Sequence, residues 1–300
     1  MARAALKERI ESGLFLLDGA MGTQLIGRGI KTGSALILAT LEHGEIVSDI
    51  HRAYFDAGSD AVITNTFSAN RYALKRHNLA DKVIEINRAA ALLARKAAGD
   101  SHYVLGDIGP TGDFLEPIGL LKRADVKAAY IEQAKALMAG GIDGFIIETM
   151  TAADEMTAAI EAVKSVGGTL PVFASMSFGR AGDGFRTMMG VDIETAFAKI
   201  VPLGVDAIGF NCGSMSLDDY VELTVKFVAA ARGQGKNTMI LAEPNAGLPE
   251  LVDGGTVYKV SPNDFALAAQ RIFLAGVKII GGCCGTSPEH IEAVARTLKI

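Results

Sequence analysis

The chain has 300 residues, 49% of them hydrophobic, which is enough apolar material for one large core without requiring a second domain. Its 34 acidic and 29 basic residues leave a net charge of −5, with both signs mixed along the sequence, and this excludes the basic footprint of a nucleic-acid or anionic-membrane partner. Three cysteines are too few and odd in number for a secreted disulfide framework. With no apolar signal segment at the start and no run long enough to cross a bilayer, the expectation is a cytoplasmic protein with free thiols.

In chain order, short apolar runs alternate with amphipathic stretches. The runs at 14–18, 60–64, 103–107, 143–148, 171–176, 205–211, 238–243 and 277–281 are rich in Val, Ile, Leu and Phe and lack the alternation of a half-exposed strand, so they read as buried parallel strands. Helical patterns fill the gaps at 46–57, 81–98, 123–139, 153–165, 193–202, 217–231 and 262–275, and 288–298 closes the chain. Eight such strand–helix units predict a single-domain α/β (β/α)8 TIM barrel over residues 1–300. A doubly wound open sheet shares the alternation and stands as the second choice.

Polar residues recur at the carboxyl ends of the predicted strands: Asp18 on the first, Thr64 and Asn65 on the second, Asp107 on the third, Glu148 on the fourth and Ser175 on the fifth. Asn211 and Cys212 end the sixth, Glu243 to Asn245 follow the seventh, and Gly281-Gly282-Cys283-Cys284-Gly285 follows the eighth. Barrel active sites assemble at this face, where loops bring distant residues around one mouth, so Thr64, Asn65, Asp107 and Ser175 are expected among the substrate contacts. Asp18 and Glu148 are candidates to hold a substrate ammonium group, against the plainer alternatives of a helix cap and a strand-end surface charge. The turn Gly19-Ala20-Met21 offers backbone N–H groups at a helix start to a substrate carboxylate.

Cys283 and Cys284, aimed by flanking glycines, together with Cys212 supply three soft ligands for Zn2+ and leave a fourth tetrahedral position open. That is the form of a catalytic rather than a closed structural site, and the sequence has no CxxC spacing for a zinc ribbon. Three unrelated buried cysteines, or a redox-active vicinal pair, are the competing readings. A metal in this place would hold an incoming thiol as the thiolate, the form that is nucleophilic.

Together these motifs resemble the homocysteine S-methyltransferase family, which includes the N-terminal module of cobalamin-dependent methionine synthase. The likeness covers nearly the whole chain and rests on Asp18-Gly19-Ala20-Met21-Gly22-Thr23, Thr64-Asn65-Thr66-Phe67, Gly106-Asp107-Ile108-Gly109-Pro110, Glu148-Thr149, Phe210-Asn211-Cys212-Gly213 and Gly281-Gly282-Cys283-Cys284-Gly285-Thr286. The resemblance implies that Cys212, Cys283 and Cys284 bind zinc and that homocysteine is the substrate. It further implies Asp18 and Glu148 at the substrate amino group, the turn at Gly19 to Met21 at its carboxylate, and methionine as the product. Asn245, in Pro244-Asn245-Ala246-Gly247, is a candidate fourth zinc ligand in the absence of substrate, or simply a turn residue. No cobalamin-binding module fits within this length after the barrel, so a methylcorrinoid donor is expected on a separate protein. Stand-alone use of betaine, S-methylmethionine or another onium donor is the alternative, as is a different thiol substrate. From another class, a non-catalytic zinc or thiol sensor fits the same residues. The segment 32–41 departs from the family pattern by lacking its acidic and Asn residues, which leaves the role of that segment open.

Overall fold

The computed structural model describes residues 3–32, 34–233, 238–252 and 255–299. Eight parallel strands form one sheet: β1 (Phe15–Leu16), β2 (Ala61–Ile63), β3 (Tyr103–Ile108), β4 (Gly144–Met150), β5 (Val172–Met176), β6 (Ala207–Asn211), β7 (Met239–Glu243) and β8 (Ile279–Ile280). They are hydrogen-bonded in the order β1-β8-β7-β6-β5-β4-β3-β2, so the sheet curls until its two ends face each other as a (β/α)8 barrel. All eight strands lie within the predicted runs or extend them by no more than two residues, and each long helix falls on a predicted amphipathic stretch.

The seam between β1 and β2 is closed by aspartate side chains as much as by backbone. The Asp60 amide donates to Leu16 O at 2.6 Å, and the Asp60 carboxylate accepts from Leu16 N at 2.8 Å. Higher up, Asp18 Oδ2 accepts from Ile63 N at 3.0 Å. With β1 only two residues long, these carboxylates satisfy amides that a longer ladder would have paired.

The barrel interior is layered by the period of two along each strand. Phe15, Ala61, Tyr103, Leu105, Ile146, Phe173, Ala207, Leu241 and Ile279 form the inner apolar cluster, and Leu6 and Ile10 of the helix Leu6–Glu11 pack onto it. Advancing two residues from these positions reaches Asp107, Glu148, Ser175 and Glu243; in β6, Asn211 keeps the parity of Ala207. The strands are therefore apolar all round at their amino ends and polar inside at their carboxyl ends.

Several elements had no sequence signal strong enough to predict them. The helix Ser34–Glu42 is apolar on nearly every face and so lacks a one-sided pattern; it covers most of the divergent segment 32–41, within which Gly33 lies outside the described residues. Short helices at Leu6–Glu11 and Arg71–Lys75, and the antiparallel hairpins formed by Phe178–Ala181 with Gly184–Thr187 and by Glu250–Val252 with Gly255–Val257, are likewise additions to the repeating unit. Among the described residues no helix is long and apolar enough to cross a membrane.

Phe227, fully buried, meets the rings of Phe210, Phe178 and Phe197 at centroid distances of 5.1, 5.4 and 5.5 Å, and so fixes the outer side of the strand that ends in Asn211. Phe227→Ala is expected to lower unfolding free energy by about 3–5 kcal/mol, read by denaturant titration; a loss below about 1 kcal/mol would show that this aromatic cluster does not anchor β6.

Candidate active site

The three cysteines come together at the mouth. Their sulfurs lie within 4.8 Å of one another, with Cys212 and Cys284 Sγ 3.9 Å apart, too far for a disulfide. Cys212 stands at the end of β6 with φ 55°, a left-handed conformation that costs a non-glycine residue free energy and is met at functional sites. Gly213 follows at φ 89°, where a Cβ would sit 2.3 Å from Phe178 O, so the turn that aims Cys212 inward requires glycine. The second loop is laced to its neighbours: Cys283 N donates to Pro244 O at 2.8 Å, Ala246 N donates to Cys284 O at 2.9 Å, and Thr286 Oγ1 donates to Cys283 O at 2.6 Å.

Within this cluster one sulfur is favoured as a thiolate. Cys284 is pulled down to about 3 by hydrogen bonds from the Cys212 and Cys283 thiols, against the opposing effect of burial. Cys283 is pushed well up by hydrogen bonding with Cys212 and Cys284 and by burial. Cys212 feels a downward pull from Cys283 but is carried up to about 12 by its bond to Cys284 and by burial. Three sulfurs competing for few protons are a donor set suited to a soft cation. Sulfurs about 2.3 Å from a tetrahedral zinc lie about 3.8 Å apart, close to the 3.9 Å found between Cys212 and Cys284. Asn245 stands beside this loop, its Nδ2 donating to Gly213 O at 2.7 Å. Its buried Oδ1 has no hydrogen-bond partner among the described residues, so an oxygen ligand is available.

Beside the sulfurs lies a buried acidic layer. Asp18, Asp107 and Glu243 are 1%, 3% and 2% exposed, and one oxygen of each has no partner among the described residues, so these carboxyls are left in want of a cation or proton. Burial pushes Asp18, Asp107 and Glu243 well above the ordinary carboxylate range, reinforced in each case by the neighbouring charge of Glu148. Glu148 is raised to about 7, first by burial, against hydrogen bonding from Thr149 and with Cys284 adding repulsion.

Three of these carboxyls and the sulfurs border a cavity of about 550 Å3 lined by Gly19, Ala20, Met21, Thr64, Asn65, Asp107, Glu148, Glu243 and all three cysteines, among others. No lysine or arginine lines it among the described residues. Most of the expected site residues therefore share one space, but with different duties. The Ala20 amide is already committed to Thr286 Oγ1 at 3.0 Å, so of the expected turn only Gly19 and Met21 keep their amides for a ligand. Asn65 donates to Leu36 O at 2.8 Å and Thr40 Oγ1 at 3.2 Å, fastening the Ser34–Glu42 helix, whose Leu36 and Ile37 form part of the cavity wall. Thr64 Oγ1 accepts from Asp107 N at 2.9 Å. Ser175 is fully buried and does not line the cavity; it donates to Asn211 Oδ1 at 2.8 Å. Asp18 and Asn245 also lie outside the lining. Glu243 was missed as a site residue, although its parity with inward-facing Leu241 on β7 signals it. Thr286 belongs to the motif that carries the family likeness but was given no role, because that role depends on the β1 and β8 loops meeting.

Comparison with known proteins places these motifs in a family context. The family described as homocysteine S-methyltransferase matches residues 15–298. The chain is 33% identical to the methionine synthase of Mycobacterium leprae (strain TN) over 97% of its own length and 25% of that protein. It is 33% identical to the methionine synthase of Mycobacterium tuberculosis (strain ATCC 25618 / H37Rv) over 93% of its length and 24% of that protein. It thus spans about a quarter of these curated relatives. Among solved structures, the metallated form of the homocysteine methyltransferase MmuM from Escherichia coli superposes with a TM-score of 0.79 at 21% identity, covering 98% of this chain and 99% of that one. A methyltransferase from Methanosarcina mazei gives 0.60 at 12% identity over 98% and 96%. At these identities both likenesses concern the fold.

The acidic layer makes ligand-free stability depend on pH in a defined direction. A carboxyl raised from 4.5 to about 7, as Glu148 is, keeps its proton in the folded chain through a window where the unfolded chain has lost it. Raising the pH through that window therefore favours unfolding. Glu148 alone corresponds to a loss on the order of 3 kcal/mol. Thermal unfolding of metal-free protein from about pH 5 to about pH 8 is expected to show a falling Tm, with a shallower fall in Glu148→Gln; a Tm that rises over this range contradicts the assignment.

Proposed function

The chain belongs to the homocysteine S-methyltransferase family, and on that premise we propose that this S-methyltransferase is a single homocysteine-binding zinc barrel over residues 1–300 that forms methionine. The observation that carries the reading is the meeting of Cys212, Cys283 and Cys284, distant in sequence, within 4.8 Å in the lining of a cavity that also holds buried, uncompensated carboxyls. Sulfur ligands at one end and anionic oxygens at the other match an amino acid thiol.

Cys212, Cys283 and Cys284 would hold the zinc, with Asn245 Oδ1 as a fourth ligand when substrate is absent. Bound there, zinc would lower the pKa of the substrate thiol so that its sulfur is nucleophilic at neutral pH. Glu148, with Asp18, Asp107 and Glu243 behind it, receives the substrate ammonium and is held in its charged form by it. The amides of Gly19 and Met21, at the start of the helix Met21–Gly27, take the substrate carboxylate. Held at both ends, the substrate presents one sulfur lone pair toward the open mouth. There the sulfur–carbon bond forms as the bond between methyl and donor breaks, and the donor departs with that electron pair. The thiol proton leaves to solvent. Confinement of sulfur and methyl carbon in near-attack geometry provides much of the acceleration.

A methylcorrinoid carried by a separate protein is the donor this reading favours. Its support is the 33% identity to methionine synthases, and an apolar rim suited to protein contact, with Ile118 70%, Leu120 93% and Leu251 81% exposed on loops after β3 and β7. An onium donor is the second reading. It is favoured by the acidic layer, whose four carboxyls exceed what one ammonium neutralises.

Zinc-loaded protein incubated with homocysteine and, in turn, a methylcorrinoid protein, betaine and S-methylmethionine separates these readings, with methionine read by mass spectrometry. Methionine from at least one donor is expected, and Cys283→Ala should lose both the metal and the product. Homocysteine binding with no methionine from any donor would instead support a thiol sensor, and retained zinc with full activity in Cys283→Ala would overturn the ligand assignment.

A further inference from the structure

Between the acidic layer and the sulfurs stands one neutral side chain that touches both. Asn211, at the end of β6, is fully buried. Its Oδ1 accepts from the Thr149 backbone amide at 2.8 Å and from Ser175 Oγ at 2.8 Å. A backbone N–H can only donate, so this contact fixes which end of the carboxamide is oxygen. The Nδ2 end is thereby turned toward Glu148 Oε2 at 2.6 Å, Thr149 Oγ1 at 2.7 Å and Cys283 Sγ at 3.7 Å. Thr149, which supplies the fixing amide, has φ 57°, and Cys212, the next residue after Asn211, has φ 55°. Two strained non-glycine residues thus hold this amide in place, and such strain persists only where the surroundings enforce it.

We infer that Asn211 is a positioning residue that couples the amino-group end of the site to the sulfur end, by holding the Glu148 carboxylate and the Cys283 sulfur through the same NH2 group. The inference rests on the amino-thiol substrate and zinc ligands proposed above. Its N–H bond to Glu148 orients that carboxylate toward the cavity, where a ligand ammonium pairs with it. Its second N–H, shared between Thr149 Oγ1 at 2.7 Å and Cys283 Sγ at 3.7 Å, withdraws electron density from that sulfur and helps fix its direction, as partners of metal ligands do. A ligand amino group that draws on Glu148 would be felt at Cys283 through a single rigid amide about one hydrogen bond from each. Ser175, which the sequence suggested as a substrate contact, acts one step further out by fixing Asn211.

The test compares wild type, Asn211→Ala and Ser175→Ala in two measurements that do not use turnover. The first is dissociation of homocysteine against 4-mercaptobutyrate, which carries the thiol and carboxylate but no amino group. The second is the rate at which a colorimetric chelator removes zinc. Asn211→Ala should reduce the preference for homocysteine over 4-mercaptobutyrate by roughly 10-fold or more and hasten zinc loss by roughly 10–100-fold. Ser175→Ala should move both in the same direction by less, and it decides the matter if Asn211→Ala fails to fold. A residue with a merely structural role would weaken both thiols alike and leave their ratio unchanged; that result, or wild-type zinc retention in the variants, overturns the inference. If wild-type protein itself shows no preference for homocysteine or holds no zinc, the functional reading fails instead.

Discussion

Acidic groups and sulfurs gathered away from water, with no lysine or arginine beside them among the described residues, are the constraint on which the site depends. Asp18, Asp107 and Glu243 are buried in one layer with the half-buried Glu148, three cysteine sulfurs converge beside them, and no lysine or arginine lines the cavity among the described residues. In the interior of a protein such an arrangement is unfavourable unless protons, metal or ligand supply the missing charge. The raised carboxyls and the shared protons of the cysteine cluster are two expressions of this one imbalance. A metal cation at the sulfurs and an ammonium at the carboxyls relieve it in the two places where it occurs. The chemistry proposed for the barrel is thus also what completes its electrostatics.

The barrel makes this concentration possible by dividing its interior in two. Apolar residues such as Leu105, Ile146, Phe173 and Leu241 fill the lower layers and provide the hydrophobic stabilisation. The upper layer, reached two residues later on the same strands, is left to polar groups whose directions are then fixed by neighbours. The loops above it are fastened to one another and to the surrounding helices. Thr286 joins the β8 loop to the β1 loop through Ala20, Tyr54 OH donates to Ala20 O at 2.9 Å, and Tyr220 OH donates to Cys212 O at 2.6 Å. Mobile side chains would make a poor metal site and a poor amino-acid site. These bonds replace mobility with fixed geometry before any ligand arrives.

The positions of the strands and the turn that carries Cys283 and Cys284 were legible in the sequence because each rests on a local signal. Buried apolar runs mark strands, and Gly281-Gly282-Cys283-Cys284-Gly285 marks a turn that presents sulfur. Glu243 was legible in principle through its parity with Leu241, yet sequence reading alone treated it as a loop neighbour of Asn245. Asn65 and Ser175 show where such reading stops. Both are polar residues at strand ends, but one fastens the Ser34–Glu42 helix through Leu36 O and the other supports Asn211, because partners distant in sequence compete for their hydrogen bonds. Asp18 likewise answers an unpaired amide of Ile63, a role set by how short β1 is. The Ser34–Glu42 helix escaped detection because an apolar surface on every side carries no helical period.

The central claim, that three cysteine sulfurs share one zinc with a position left for a substrate thiol, is tested most directly by zinc-edge X-ray absorption of the purified protein with and without homocysteine. The account predicts stoichiometric zinc with three sulfur neighbours at about 2.3 Å and one lighter neighbour, changing to four sulfurs when homocysteine is added. Absence of zinc, or a shell dominated by nitrogen and oxygen that homocysteine leaves unaltered, would contradict it.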